Sequence, residues 1–161
     1  IKGEIQKIHI IAKDMYYKYL LFDEVEIEAT QIKINLNLRN KELNFKNDPK
    51  INFKISFSET SLKEILMSNN WNWIGNTISK EILKNERLKD IKIINDKLFL
   101  EAFESNSLEQ IKIKTENGKV YFANKNNNKI IKIPIEDKIY IRNVYIKNNI
   151  INLFAKSTIS F

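Results

Sequence analysis

Hydrophobic side chains recur at every second position over most of this chain, and the one sustained change of period lies between Ser58 and Leu83. Ile51, Phe53, Ile55 and Phe57 alternate with Asn52, Lys54 and Ser56, which predicts a half-buried strand with four large apolar groups on one face. That strand should stop at Ser58. Ser58, Thr60 and Ser61 offer hydroxyls to the orphan amides of a helix start, and Ser61 with Glu64 has capping-box spacing. Leu62, Ile65 and Leu66 then share one helical face, and Asn69-Asn70 is a stop. A second helix follows from Trp71 to about Leu83, with Trp71, Ile74, Gly75, Ile78 and Ile82 on its core face and Gly75 allowing close approach. Trp73 falls on the far side with Thr77, Lys80 and Lys84. It reads either as an indole packed under a loop or strand edge, or as an interfacial anchor beside lysines.

On either side of this helical pair the pattern is strand. Gly3 to Lys13 predicts a strand ended by Asp14, Tyr16 to Phe22 a short aromatic strand, and Val25, Ile27 and Ala29 a longer one alternating with Glu24, Glu26 and Glu28. Parity then flips to Ile32, Ile34, Leu36 and Leu38, which predicts a bulge or corner near Thr30-Gln31. Asn40-Lys41 is a turn, Leu43 and Phe45 mark a brief strand, and Asn47-Asp48-Pro49 is a turn. After Arg87 the turn signals Asn95-Asp96, Asn117-Gly118, Asn126 to Asn128 and Asn148-Asn149 predict an antiparallel meander running to the end, with Pro134 at an edge or bulge.

Several strands are apolar on both faces: Leu98, Leu100 and Ala102 oppose Phe99 and Phe103. Two helical segments over residues 59 to 84 are too few to cover a sheet of this length. The expectation is therefore an α+β fold of strands, helices, strands, in which one strongly curved antiparallel β-sheet wraps the central helical pair. Such a curl encloses either a filled core or an apolar groove.

The 161 residues suit a single domain, and no apolar run reaches the length of a membrane-spanning helix. Ile1 opens in strand-like sequence, so a native N-terminal segment is expected ahead of it. A net charge of +7 favours polyanions, yet Lys33, Lys54, Lys112, Lys114 and Lys132 each sit between apolar strand residues, where a solvated outward position is the ordinary reading. No cysteine is present, which removes disulfides and thiolate metal sites. His9 reads as a surface or edge residue, there is no G-x-S-x-G elbow, and three glycines rule out most phosphate-cradling loops. Glu24, Glu26 and Glu28 form a solvent row suited to lysines of a neighbouring strand, and Glu136-Asp137 is a loop pair. No catalytic residues, metal site or cofactor are expected. Tyr16, Tyr17 and Tyr19 with Lys13 and Lys18, and Tyr140, Arg142 and Tyr145, come nearest to a nucleic-acid surface, without any specific nucleic-acid signature.

Four stretches, IKGEIQKIHIIAKDMYYKYLLFDEVEIEA, INFKISFSETSLKEIL, WNWIGNTISKEIL and IPIEDKIYIRNVYIKNNIINLFAKSTISF, resemble the LmeA-like phospholipid-binding family of bacterial envelope proteins, in its cyanobacterial form. Asn, Lys and Ile stand where relatives often carry Arg, Leu and Gly. The resemblance implies a non-enzymatic β-rich domain that binds phospholipid or an anionic membrane surface in the cell envelope, periplasmic or membrane-associated. Acyl chains are then expected against Phe53, Phe57, Leu62, Ile65, Leu66 and Ile78, with the headgroup near Trp73, Lys80 and Lys84. The alternative is an envelope scaffold or protein-interaction domain that uses exposed strand edges, its protein partner unknown.

Overall fold

The chain opens with a long hairpin in which β1 (Lys2–Tyr17) runs antiparallel to β2 (Leu20–Asn37). A computed structural model describes residues 2–17, 20–124, 130–133, 135 and 137–158. The polar tip expected at Asn126 to Asn128, the edge position of Pro134, and Lys18, Tyr19 and Glu136 lie outside them. The strand end expected at Asp14 is a kink instead, and the separate aromatic strand from Tyr16 belongs to the hairpin. Asp14 takes left-handed backbone at φ 49°, which aspartate tolerates, and pairing resumes at Met15–Phe22. The irregularity expected near Thr30-Gln31 is present, with Gln31 at φ 56° between the pairs Lys7–Thr30 and Ile5–Ile32. Phe22, Val25 and Ile32 are the buried apolar residues of β2, so its inward parity changes across both kinks. β3 (Glu42–Phe45) pairs with the far end of β2, and β4 (Lys50–Phe57) pairs with its middle.

Helix α1 (Glu59–Met67) is capped by Ser58, whose Oγ accepts the Ser61 amide at 3.2 Å, and the Asp23 carboxylate accepts the amide of Ser58. Ser61 is therefore the residue whose amide is capped, not the start of a box reaching Glu64. α2 (Asn72–Glu81) crosses α1 at Gly75, where a Cβ would stand 2.9 Å from the Leu66 carbonyl oxygen. Only glycine permits that approach.

The remaining strands are β5 (Leu88–Ile94), β6 (Lys97–Ala102), β7 (Leu108–Glu116), β8 (Lys119–Asn124), β9 (Ile130–Ile133), β10 (Ile139–Lys147) and β11 (Ile150–Thr158). Left-handed residues at Asn95-Asp96, Asn117-Gly118 and Asn148-Asn149 make their tight hairpins. The mostly-β α+β class and the strands, helices, strands order hold. The single sheet does not: β5 to β9 form a meander of their own, while β10 and β11 leave it, giving a second sheet of order β1-β2-β4-β11-β10. Neither sheet closes on itself. The core lies between the meander, α2 and the inner face of β10 and β11, around Ile78, Ile82, Ile91, Leu98, Leu100, Ile141 and Ala155. Across this seam the Ile141 amide donates to the Gly118 carbonyl at 2.9 Å.

Candidate functional site

Cross-strand register places apolar side chains in rows along the inner face of the sheet that contains β1. One row reads Ile10–Ile27–Phe53–Ala155–Ile141 across β1, β2, β4, β11 and β10. Its two ends differ sharply: Ile10 is 51% exposed, Ile27 and Phe53 are half-buried, and Ala155 and Ile141 are each 3% exposed. The neighbouring row repeats the gradient, from exposed Ile8 through half-buried Ala29 to buried Ile51. The meander packs under β10, and α1 packs against β2 and β4, whereas β1 packs chiefly on β2. The inner face is thus apolar across its whole width but covered over only part of it. A contiguous uncovered apolar face is the signature of a surface that meets something other than water.

The residues singled out from the sequence divide between this face and the interior. Phe53 and Phe57 stand on β4, half-buried, and Phe57 packs on Phe22 with ring centroids 5.3 Å apart. Leu62 is half-buried on α1, while Ile65 and Leu66 are buried beside it. Ile78 is 0% exposed, enclosed in the core, and forms no part of an open surface. Trp73 is 39% exposed on the outer side of α2, with its ring centroid 6.4 Å from that of Trp71. Lys80 is exposed two helical turns along the same side. Lys84 is exposed on the left-handed turn that follows α2, at φ 55°. Beside Lys80 lies an open depression bordered by Met67, Asn72, Asn76, Ser79, Asn85 and Arg87, whose walls do not include Trp73 or Lys84. The helical face and the strand face are separate features of the surface.

The outer face of the same sheet has the opposite character. Glu24, Glu26 and Glu28 of β2 are flanked by cations on both neighbours: Lys7 reaches Glu28 at 2.5 Å, Lys13 reaches Glu24 at 3.9 Å, and Lys54 bonds Glu26 and lies 3.7 Å from Glu24. The hydrogen bond from Lys54 holds the Glu26 carboxyl below its ordinary range, and Glu26 in turn raises Lys54. His9 Nε2 stands 3.6 Å from Glu26 Oε2 within this ladder. The face is occupied by ion pairs, and among the described residues no cluster of His, Asp and Glu could hold a metal ion.

Sequence reasoning missed Ile8, Ile10, Ile27 and Ala29 as surface-forming residues. The available signal was their strict alternation with Lys7, His9, Glu26 and Glu28, but alternation cannot say which part of an apolar face receives a cover. No family model, curated protein or solved structure matches the chain.

Proposed function

We propose that this chain is a non-enzymatic domain that binds phospholipid, or lies against an anionic membrane surface, in a bacterial cell envelope. The observation that carries the reading is the exposure gradient along the row from Ile10 to Ile141: the same apolar face that forms core under β10 and β11 continues uncovered to β1. Acyl chains lie along Ile8, Ile10, Ile27 and Ala29 and reach Phe53 and Phe57, where the face passes into the interior. The kinks at Asp14 and Gln31 bend the ribbon, and a strongly curved sheet at this end turns the open face into a groove beside α1. Trp73 and Lys80 form an independent interfacial element, an indole and a cation on one side of α2, suited to headgroup level. The net charge of +7 adds attraction to anionic lipid.

Co-sedimentation with vesicles of phosphatidylglycerol and phosphatidylcholine at low salt tests this. Wild type is expected to pellet with the vesicles, and Ile8→Asp/Ile10→Asp to lose binding at least about tenfold, since each carboxylate must be desolvated against hydrocarbon. Both side chains are exposed, so the fold is retained. Wild type left in the supernatant, or a double variant that pellets equally well, overturns the reading.

A further inference from the structure

Beyond the kink at Gln31, β2 runs on to Asn37 with β1 on one flank and the four-residue β3 on the other. β3 packs chiefly on β2, and every residue of β3 is exposed. Helix α1 stands at the opposite end of β2, where the Asp23 carboxylate accepts the amide of Ser58. The hairpin between β2 and β3 is therefore a projection. Its turn is fixed from within: the pair Asn37–Glu42 closes it, Asn37 Oδ1 accepts the amides of Arg39 and Asn40 at 3.2 and 3.4 Å, and Lys41 supplies the left-handed residue at φ 54°. With those amides bonded internally, the apex leaves water without stranding them.

The projection carries large apolar groups. Leu38 in the turn is 64% exposed, Leu43 53% and Phe45 39%. Register sets Leu43 opposite Leu36 and Phe45 opposite Ile34, so both share the face of buried Ile32, while Lys33, Asn35 and Asn44 fall on the other. The charge beside them is one-sided: the stretch from Leu38 to Lys46 holds Arg39, Lys41 and Lys46 against Glu42 alone. Farther along the same sheet the lysines are neutralised, since Lys7, Lys13 and Lys54 each pair with a glutamate of β2. Among the described residues, Arg39, Lys41 and Lys46 make no ion pair.

We propose that this hairpin tip inserts into the interface of an anionic bilayer, with Leu38, Leu43 and Phe45 at the acyl boundary and the three cations among headgroup phosphates. The unneutralised cations call for an anionic partner. The convex form calls for a lipid one: a bilayer yields to a projection, whereas a protein must already hold a cavity of matching shape. The stems of Arg39 and Lys41 let their charges stay at phosphate level while the apex goes deeper. This rests on the membrane reading above and adds the point of contact. From the tip, the apolar face runs through Ile32 and Ile5 to the row of Ile8 and Ala29, so docking here opens that row towards the bilayer.

The chain has no native cysteine, so a single introduced one reports its own surroundings. Leu38→Cys carrying an environment-sensitive fluorophore is titrated with phosphatidylglycerol and phosphatidylcholine vesicles, with and without nitroxide on the acyl chains. The comparison is Lys147→Cys, exposed at the other end of the same sheet. A blue shift and nitroxide quenching are expected at Leu38→Cys, and neither at Lys147→Cys. Leu38→Asp/Leu43→Asp should lower vesicle affinity at least about tenfold. Arg39→Gln/Lys41→Gln/Lys46→Gln should do the same on phosphatidylglycerol vesicles at low salt and have little effect on pure phosphatidylcholine. All five positions are exposed, so the variants keep the fold. Wild type left in the supernatant overturns the membrane reading and this proposal together. Wild type that pellets while the label at Leu38→Cys stays in water, or while either tip variant pellets equally well, overturns the tip alone and leaves it to a protein partner. An equal shift at Lys147→Cys, which means adhesion without a tip, also overturns it.

Discussion

Asn47 holds the kink at Gln31: its side-chain nitrogen donates to the Gln31 carbonyl at 2.8 Å, while its side-chain oxygen accepts the Lys33 amide at 2.8 Å. One side-chain amide thus satisfies two backbone groups of β2 in the gap between its pairing with β4, which ends at Thr30, and its pairing with β3, which begins at Ile34. Asn47→Ala is expected to cost about 1–2 kcal/mol, measured by urea denaturation, since both partners lose their bond. Gln31→Gly should be neutral or gain up to about 1 kcal/mol, because glycine adopts positive φ without steric cost. A loss at Gln31→Gly as large as that at Asn47→Ala would mean that the Gln31 side chain, rather than its backbone, carries the kink.

The crossing of the two helices makes a prediction by contrast. Gly75→Ala places a methyl 2.9 Å from the Leu66 carbonyl oxygen, an atom that cannot turn aside. The helices must separate, at a cost of about 1–3 kcal/mol. Gly3→Ala meets only the Ile34 side chain at 3.5 Å, an ordinary contact, and should change stability by less than about 0.5 kcal/mol. Parallel denaturant curves for the two variants check the difference.

Ile78 and Trp73 lie on opposite sides of α2 and should respond in opposite ways. Ile78→Ala empties a fully enclosed site and is expected to cost about 2–5 kcal/mol. Trp73→Ala, exposed, should cost less than about 1 kcal/mol. Vesicle binding reverses the order: a modest loss is expected for Trp73→Ala, and none for Ile78→Ala at temperatures where it remains folded.

Acid sensitivity should concentrate at Glu101. Its carboxylate lies 2.6 Å from Lys89 Nζ and 2.5 Å from Lys92 Nζ, and those two hydrogen bonds hold its pKa below the ordinary 4.5. A carboxyl depressed on folding contributes stability that is fully present above its unfolded pKa and is lost as pH falls through the folded one. Glu101→Gln lacks that contribution. Urea midpoints of wild type and variant should therefore differ at neutral pH and converge as pH falls below 4.5.

Much of the local structure was written in short stretches of sequence. Asn117-Gly118 turns where positive φ is needed, Ser58 caps the helix that follows it, and the wheel position of Trp73 gives its outward placement. What could not be read was partner choice. The strand at Ile150 resembles its neighbours in composition, and nothing local says that it pairs with Lys50–Phe57 rather than extending the meander. The same limit hid the surface at Ile8 and Ile10. Their apolar parity is legible, but whether a face is covered depends on elements far along the chain. Asp14 misled for a related reason, because a residue that usually ends a strand can also kink one when its opposite number, Asp23, leaves the ladder with it.

The insertion of β11 beside β4 has a consequence for biosynthesis. Phe57 finds Ile151, and Ile51 finds Ser157, only after both helices and the whole meander have been made. Until the last stretch leaves the ribosome, the strand from Lys50 to Phe57 has one flank bare, and Phe53 and Phe57 lack the neighbours that shelter them. Nascent chains halted before Ile150 are therefore the form of this protein that most needs a holding chaperone, while the meander, whose strand pairings are all sequential, can form its ladder on schedule.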